Sequence, residues 1–353
     1  CGTRSHMGYT ETTVRIAPYP AASAALITAP SFLIDRIEPD VEQIQLPARP
    51  AGGGVFRYGR GRLTGAGTPP RRRVFGRRAP VTELSGTANF DFRRNEPTNW
   101  AHFLTNHMPV FFHLCDTFKI DPQDATIVMP ADTPAYIRRA AAFFGLTLLY
   151  ADGPVDGDGI SFDLEPWTAL RAERANWVRT PPARAALARG LLSEIEAELP
   201  RRVFLSRRKT RALKNEADVH EFLAPLGFES VYPEDLSVGD QFRVFNTAER
   251  IVAIHGAGLA PLLYRRQNSA LRALVEILPC GHMTDYYRVM ADQVGVPWVG
   301  VRGRIKAAYV APAYALKKRF RRYSLDNFEV DVASIERAFS LLPEVAVPAT
   351  AAG

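Results

Sequence analysis

The sequence predicts an α/β protein whose second half is a doubly wound, Rossmann-like parallel sheet. Three observations carry that prediction. Between residues 203 and 301, five apolar runs of strand length alternate with four helical patterns. Upstream, 126–151 reads as one βαβ unit: strand TIVMPA, helix PAYIRRAAAFFG, strand LTLLYA. The chain has 353 residues, enough for two domains at about 100–200 residues each.

The expected division follows the elements. Residues 1–7, CGTRSHM, read as an expression-tag remnant ending at a start methionine. Residues 8–180 form an N-terminal α/β domain, 181–200 a linking helix, and 201–315 the C-terminal Rossmann-like domain. Residues 316–353 hold a basic segment, a last helix and a tail, expected to pack back on the N-terminal domain. Within the first domain, 21–50 carry short apolar runs (AALITA, FLIDRI, IQLPA) broken by prolines, which predict short strands. Residues 51–80 are rich in Gly, Pro and Arg, and read as a surface loop or hairpin or as a basic arm for an anionic partner. A long helical pattern opens at Asn99, an N-cap residue type, and runs to about Phe118 with a kink or break expected at Pro109. After the βαβ unit, DGPVDGDGI (152–160) reads as a loop.

In the second half, VFLSR (203–207) leads to a helix capped by Asn215 and ended by Gly227. ESVYP (229–233) leads to a helix opened by Ser237 with Asp240 three residues on. RIVAI (250–254) runs into HGAGL and a short helix. ALVEIL (273–278) leads to the helix TDYYRVMADQVG, and PWVGV (297–301) is the last strand. The basic run KKRFRRY (317–323) precedes an amphipathic helix near 331–342.

Composition excludes several classes. No run approaches the roughly 18 consecutive apolar residues of a membrane span. Cys1, Cys115 and Cys280 are too few and too scattered for a disulfide scaffold or a four-ligand zinc site. Lys+Arg number 44 against 37 Asp+Glu, a net charge of +7; six of the 44 are lysine, so 38 are arginine. Guanidinium forks suit phosphate and carboxylate, although a GC-rich genome gives the same bias. Without zinc-finger spacing or an RNA-binding aromatic signature, nucleic acid is not an expected partner. The scarcity of cysteine, and the lack of a basic-then-apolar leader after Met7, point to the cytoplasm.

Ligands of open α/β sheets bind beyond the carboxyl ends of the strands. After the first strand of the second half come Ser206-Arg207-Arg208-Lys209-Thr210-Arg211 and then Asn215-Glu216. Several cations just before a helix N-terminus suit a diphosphate. After the third strand, His255-Gly256-Ala257-Gly258-Leu259 lets a backbone turn approach an anion closely, and the imidazole could donate to a phosphate or sugar hydroxyl. Glu276 lies inside the apolar run LVEIL, where a carboxylate needs a hydroxyl or a cation; it reads as a ribose-binding group or as half of an internal ion pair. His282, Tyr286 and Tyr287 could flank a base or sugar, or pack in the core. In the first half His102, Asn106 and His113 fall at i, i+4 and i+11, on one helix face. A histidine there suits a general base.

The order NWAHFLTNHMP, SRRKTRALKNEADV, GDQFRVFNTAERIVAIHGAGLAPLLY, then LVEILP with a downstream YY resembles the glycosyltransferase 61 family over about residues 95–300. The most specific part is SR-x3-R-x3-NE combined with HGAGL. The resemblance implies a GT-B enzyme: two Rossmann-like domains facing a cleft, the nucleotide-sugar held mainly by the C-terminal one, inversion at the anomeric carbon, and no bound metal. Residue by residue, it implies that Arg207 and Arg211 face the donor diphosphate, and that Asn215 and Glu216 support that loop or touch the donor. His255, Gly256, Ala257, Gly258 and Leu259 would form the phosphate-facing turn, with Glu276 on the nucleoside side. His102 matches the histidine of the family's N-x2-H signature and becomes the expected base, with Asn99 and Asn106 on the acceptor side. The sequence departs from the family at Ala260-Pro261, where many members have Thr or Ser and Asn; this removes side-chain hydrogen bonds there but not the backbone turn. A competing signature is Asp156-Gly157-Asp158, the DxD of metal-dependent GT-A enzymes.

The expectation is an inverting hexosyl- or pentosyltransferase that needs no metal or other cofactor. It would move a sugar from a nucleotide-sugar, UDP-linked first, to a hydroxyl of a glycan or lipid-linked saccharide in bacterial capsular or exopolysaccharide synthesis. The alternative is a non-catalytic nucleotide-sugar or polysaccharide-binding protein that keeps the fold. Basic residues at 57–78 and 317–323 would attract an anionic membrane, for a peripheral site at the inner face.

Overall fold

The computed structural model describes residues 10–16, 23–28, 42–47, 54–64, 80–162, 173–305 and 323–342. The chain divides into two compact units, each with a seven-stranded sheet. Unit 1 comprises residues 1–20 and 50–196, and unit 2 comprises residues 21–49 and 197–353.

The chain opens in unit 1 with β1 (Thr10–Ile16), crosses to unit 2 for β2 (Ser23–Thr28) and β3 (Glu42–Pro47), and returns at β4 (Gly54–Thr64). Unit 1 continues with β5 (Thr82–Glu83), β6 (Asn89–Asp91), α1 (Trp100–His102) and α2 (Met108–Phe118). It is completed by β7 (Thr126–Met129), α3 (Ala135–Phe143), β8 (Thr147–Tyr150), β9 (Val155–Phe162) and α4 (Pro181–Leu192). Its sheet runs β1-β4-β9-β6-β7-β8, with β5 pairing β9. The βαβ unit is as expected, β7 and β8 lying parallel through α3.

A stretch that read as a loop or hairpin, and one that read as a loop, are strands. Residues 54–64 pair antiparallel with both β1 and β9. Phe56, Tyr58 and Leu63 are buried while Arg57, Arg60 and Arg62 are exposed. The intervening glycines thin out that two-residue alternation in the sequence. Residues 155–162 form β9, and Asp156 of the DxD triplet forks onto Arg62 of β4 through two bonds of 2.9 Å. Each strand alone is too polar and glycine-rich to announce itself; each completes the other's ladder.

The helical pattern from Asn99 is continuous but changes pitch. Between α1 and α2, Phe103–His107 form a π-helical turn. Pro109 follows within the first turn of α2, and lacks the N–H that a regular ladder would use. The helix changes to a wider turn before the proline, where a kink or break was expected. Thr105 Oγ1 donates to Ala101 O at 2.7 Å, and the His107 Nδ1 lies 3.1 Å from His102 O, so side chains occupy carbonyls of the widened turn.

Unit 2 comprises β10 (Arg202–Leu205), α5 (Glu216–Leu223), β11 (Glu229–Val231), α6 (Val238–Thr247), β12 (Arg250–Ile254), β13 (Ala273–Leu278), α7 (Tyr286–Gln293), β14 (Trp298–Arg302) and α8 (Val332–Ser340). The sheet order is β11-β10-β12-β13-β14-β2-β3, parallel as far as β2, with β3 antiparallel at the edge. All six residues of β13 are buried, as in a parallel strand covered on both faces. Phe204, Val252, Val275 and Val299 form the core with Ile27 of β2 and Ile335 and Ala338 of α8.

Three boundaries differ from the sequence reading. Residues 21–49 extend the C-terminal sheet instead of opening the N-terminal one. The helix at 181–192 packs on α2 and α3, so it is part of unit 1 and not a free link. The last helix packs within unit 2, against β2, β13, β14 and α5. The tag-like residues 1–7 and the basic residues 65–78 and 317–322 lie outside the described residues. Among the described residues no helix is long and apolar enough to cross a membrane.

Candidate active site

The loop after β10 carries the densest charge. Ser206 N donates to Val231 O at 2.9 Å, holding the strand end, and the chain then doubles back with Lys209 and Arg211 in left-handed conformations. Arg207 is half-buried; its Nε donates to Thr210 O, its Nη2 to Thr210 Oγ1 at 3.1 Å, and its Nη1 to His255 O at 3.5 Å. Arg211 is fixed by Ser324 O, which accepts from its Nε at 2.6 Å, and by Leu325 O, which accepts from its N at 3.2 Å. Burial lowers the affinity of both guanidiniums for their protons. Arg211 falls to about 10, with the charge of Arg207 as the second cause. Two partly desolvated cations that repel one another and donate to carbonyls and a hydroxyl, with no carboxylate pairing among the described residues, suit an incoming anion. Arg208 is not part of this pair: it bonds Asp235 at 2.7 Å and lies 3.9 Å over the Tyr232 ring.

Asn215 and Glu216 serve the loop. Asn215 sits at the N-cap position of α5 but makes no side-chain cap, contrary to expectation. Its amide instead clamps Val330, donating to O at 2.8 Å and accepting from N at 3.1 Å. Glu216 Oε1 accepts from Ser206 Oγ at 2.5 Å and from Tyr232 OH at 2.8 Å.

The turn after β12 stands beside them. His255 N donates to Ile277 O, and Ala257–Tyr264 then form a 3-10 helix. The first amides of a helix lack partners within it; here they belong to Ala257 and Gly258. A Cβ on Gly256 would overlap the Arg207 guanidinium, and one on Gly258 would lie 2.7 Å from Pro233 Cγ. The glycines therefore serve close approach. Leu259 departs from the expected phosphate-facing role: its side chain is buried in the core and its N donates to Gly256 O at 3.1 Å.

Glu276 requires a larger correction. It is fully buried, Oε1 lies 2.5 Å from His255 Nδ1, and Oε2 accepts from Trp298 Nε1 at 2.8 Å. With both oxygens engaged it does not face a ribose; it is the internal partner of His255. The contact with Glu276 engages Nδ1, which leaves Nε2 as the other ring nitrogen. The rings of His282 and Tyr287 lie 5.1 and 5.4 Å from His255. Burial, then Arg211, His255 and Arg207 in that order, bring the His282 imidazole down to about 4.

In unit 1, Asn99 caps α1, its Oδ1 accepting from Ala101 N at 3.0 Å and His102 N at 3.3 Å. That oxygen is committed to the helix cap, and Asn106 is buried within the π-helical turn. His113 stacks on Trp177 at 4.6 Å and 16° and joins Phe56 and Tyr58, a packing role some 16 Å along the helix from His102 at about 1.5 Å per residue. His102 is half-buried, with Nδ1 3.3 Å from Glu96 Oε2. Burial lowers its pKa and Glu96 opposes that shift. Glu96 went unnoticed in the sequence because it sits in a loop with no periodicity. Asn95 and Glu96 are consecutive left-handed residues, and Asn99 N donates to Glu96 O at 3.0 Å. Trp298 and Ser324 also escaped the sequence reading; they hold Glu276 and Arg211, as Thr210 holds Arg207. Among the described residues no three His, Cys, Asp or Glu side chains cluster as a metal site.

Residues 100–271 match a model of the family described as Glycosyltransferase 61. The chain is also similar to the alpha-1,3-arabinosyltransferase XAT2 of Oryza sativa subsp. japonica, 25% identical over 142 residues. That match covers 39% of this chain and spans about a fifth (21%) of the length of the rice protein. Both likenesses support a glycosyltransferase.

Proposed function

We propose that the chain is an inverting, metal-independent glycosyltransferase of the GT-B type, with a nucleotide-sugar donor held by unit 2. The single observation that carries the reading is the half-buried pair Arg207 and Arg211 beyond β10, beside the glycine turn beyond β12. Charge develops on the departing nucleoside diphosphate in the transition state, and preorganised guanidiniums and helix amides stabilise it without a metal. His102 is the base. Burial keeps its ring neutral, and Glu96 at 3.3 Å favours the imidazolium that forms. The acceptor hydroxyl gives its proton to His102 as its oxygen attacks the anomeric carbon, and the glycosyl–phosphate bond breaks on the opposite face. Inversion follows.

The donor is a UDP-sugar, hexosyl or pentosyl, and the acceptor is a hydroxyl of a glycan or lipid-linked saccharide in bacterial capsular or exopolysaccharide synthesis. The enzyme works from the cytoplasmic side, with its basic stretches against anionic lipid. The Asp156 fork onto Arg62 supports reading DxD as part of a strand pair.

A thermal-shift series with UDP, GDP, CMP and TDP, with and without EDTA, tests the donor class; stabilisation by one nucleotide in EDTA is expected, and a requirement for Mn²⁺ would sink the metal-free reading. Arg207→Ala and Arg211→Ala should each raise the barrier by about 2–4 kcal/mol. Near-parental turnover in both would remove the diphosphate assignment. Binding without turnover on any acceptor would favour a non-catalytic nucleotide-sugar-binding protein.

A further inference from the structure

Arg208 stands in the chain between the two arginines of the anion site and is held by other partners. It fills a variable position of the SR-x3-R pattern, so its setting belongs to this chain. Its central guanidinium carbon lies 3.9 Å over the Tyr232 ring, the separation of atoms in direct contact. Asp235 Oδ1 accepts from its Nη1 at 2.7 Å and fixes the fork. The ring backs one side of the guanidinium, and the side chain is still 48% exposed.

The backing ring is itself fixed. Tyr232 OH donates to Glu216 Oε1 at 2.8 Å, and the same oxygen accepts from Ser206 Oγ at 2.5 Å, so the phenol is tied to the end of β10. Pro233–Asp235 then form a 3-10 turn in which Asp235 N donates to Tyr232 O at 3.0 Å, and this turn brings the carboxylate back to Arg208. Pro233 packs on the glycine turn beyond β12, where a Cβ on Gly258 would lie 2.7 Å from its Cγ. The guanidinium and its ring thus stand beyond β11, which pairs parallel with β10, the strand that leads to Arg207. Neighbouring strands are about 4.8 Å apart, a length that a ribose bridges between its 5′-phosphate and its base. On the other flank, Glu276 is occupied by His255 and Trp298.

We infer that the Arg208 guanidinium, backed by Tyr232, is the stacking surface for the nucleobase of the donor whose diphosphate lies at Arg207 and the glycine turn. The inference rests on the nucleotide-donor part of the proposed function and adds a nucleoside subsite to it. Every base offers a flat π face, and a planar guanidinium stacks on it in a way that a lysine ammonium does not reproduce. Asp235 holds the fork and offsets its charge, so this surface adds little to the field on the phosphates. Arg207 and Arg211 then supply affinity for the diphosphate, and Arg208 supplies affinity for the base. Stacking is tolerant of base identity, so the surface orients the nucleoside without itself selecting uracil.

The test is calorimetry on the whole chain at fixed pH and salt, with UDP and with pyrophosphate, the diphosphate without its nucleoside. The parent is compared with Arg208→Lys, which keeps the charge and loses the plane, and with Arg208→Ala, which loses both. The parent should bind UDP more tightly than pyrophosphate. Both variants should weaken UDP by about 5- to 30-fold while pyrophosphate changes by no more than about twofold. Equal losses for the two ligands in Arg208→Ala, with recovery in Arg208→Lys, would make Arg208 a point charge for phosphate and overturn the proposal. Parental UDP affinity in both variants would overturn it as well. If the parent binds UDP no better than pyrophosphate, GDP, CDP and TDP enter the same comparison and the tightest binder decides. No preference for any nucleotide ends the inference while the anion site stands. If neither pyrophosphate nor any nucleotide binds, the donor-site reading falls and the inference falls with it.

Discussion

Among the described residues, two histidine–glutamate pairs stand under opposite conditions. In unit 2, His255 and Glu276 are 4% and 0% exposed and 2.5 Å apart, with Trp298 on the second carboxylate oxygen. In unit 1, His102 and Glu96 are 30% and 57% exposed and 3.3 Å apart, on a turn of two left-handed residues. The residue types are the same and the environments assign different work. The buried pair is framework: its geometry is fixed from both sides and it presents one ring nitrogen. The open pair is reached by solvent.

The largest test of that contrast is Glu276→Ala. It leaves His255 Nδ1 and Trp298 Nε1 without their acceptor in a fully buried place, and should cost about 3–5 kcal/mol of stability by urea denaturation. An unchanged midpoint would mean that the pair is not framework. A neighbouring ring gives a second test. His107 is fully buried, with Nδ1 3.1 Å from His102 O and Nε2 2.9 Å from Arg94 O. A neutral imidazole has one N–H, so only one of these carbonyls receives it; burial outweighs the second bond and brings the ring down to about 4. The unfolded chain then takes up this proton at about 6.5 and the folded chain only near 4, so stability falls as pH drops through that window, by about 3 kcal/mol in all. A stability that rose on acidification would identify a buried imidazolium held by both carbonyls.

Gly256→Ala probes the framework side without touching either pair. The added methyl displaces the Arg207 guanidinium, and nucleotide affinity should fall by about 1.5–3 kcal/mol with the fold retained. Parental affinity would show that Arg207 has room to move. The smallest effect is expected at the open pair. Glu96 raises the pKa of His102, so Glu96→Gln should move the acid limb of kcat/KM to lower pH and lower the plateau by at most about 1 kcal/mol, while stability stays level. A large stability loss instead would make the two pairs alike.

How much the sequence revealed follows from burial. β12 and β13 read as continuous apolar runs because they are covered on both faces, and the positions of Arg207, Arg211 and the 255–259 turn followed from strand ends. β4 and β9 were hidden because glycines and charges break their alternation, and only their mutual pairing makes them strands. The i, i+11 relation of His102 and His113 assumed one helical pitch, which the π turn at Phe103–His107 changes. Glu276 was visible as an anomaly in an apolar strand. Its acceptor role toward His255 and Trp298 depends on side chains 21 and 22 residues away, which no local pattern encodes.

The placement of β2 also has a consequence in time. Ala25 pairs with Val299 across the β2–β14 ladder. During translation at about 5–20 residues per second, β2 therefore waits on the order of tens of seconds for the strand it must join. Through that interval β3, the partner nearest in the chain, can cover one edge of β2, and the edge that β14 will take stays open. A waiting β2–β3 hairpin offers a free parallel-accepting edge to any other nascent chain in reach, so a chaperone that shields this early hairpin should raise the yield of the native protein more than one acting after release.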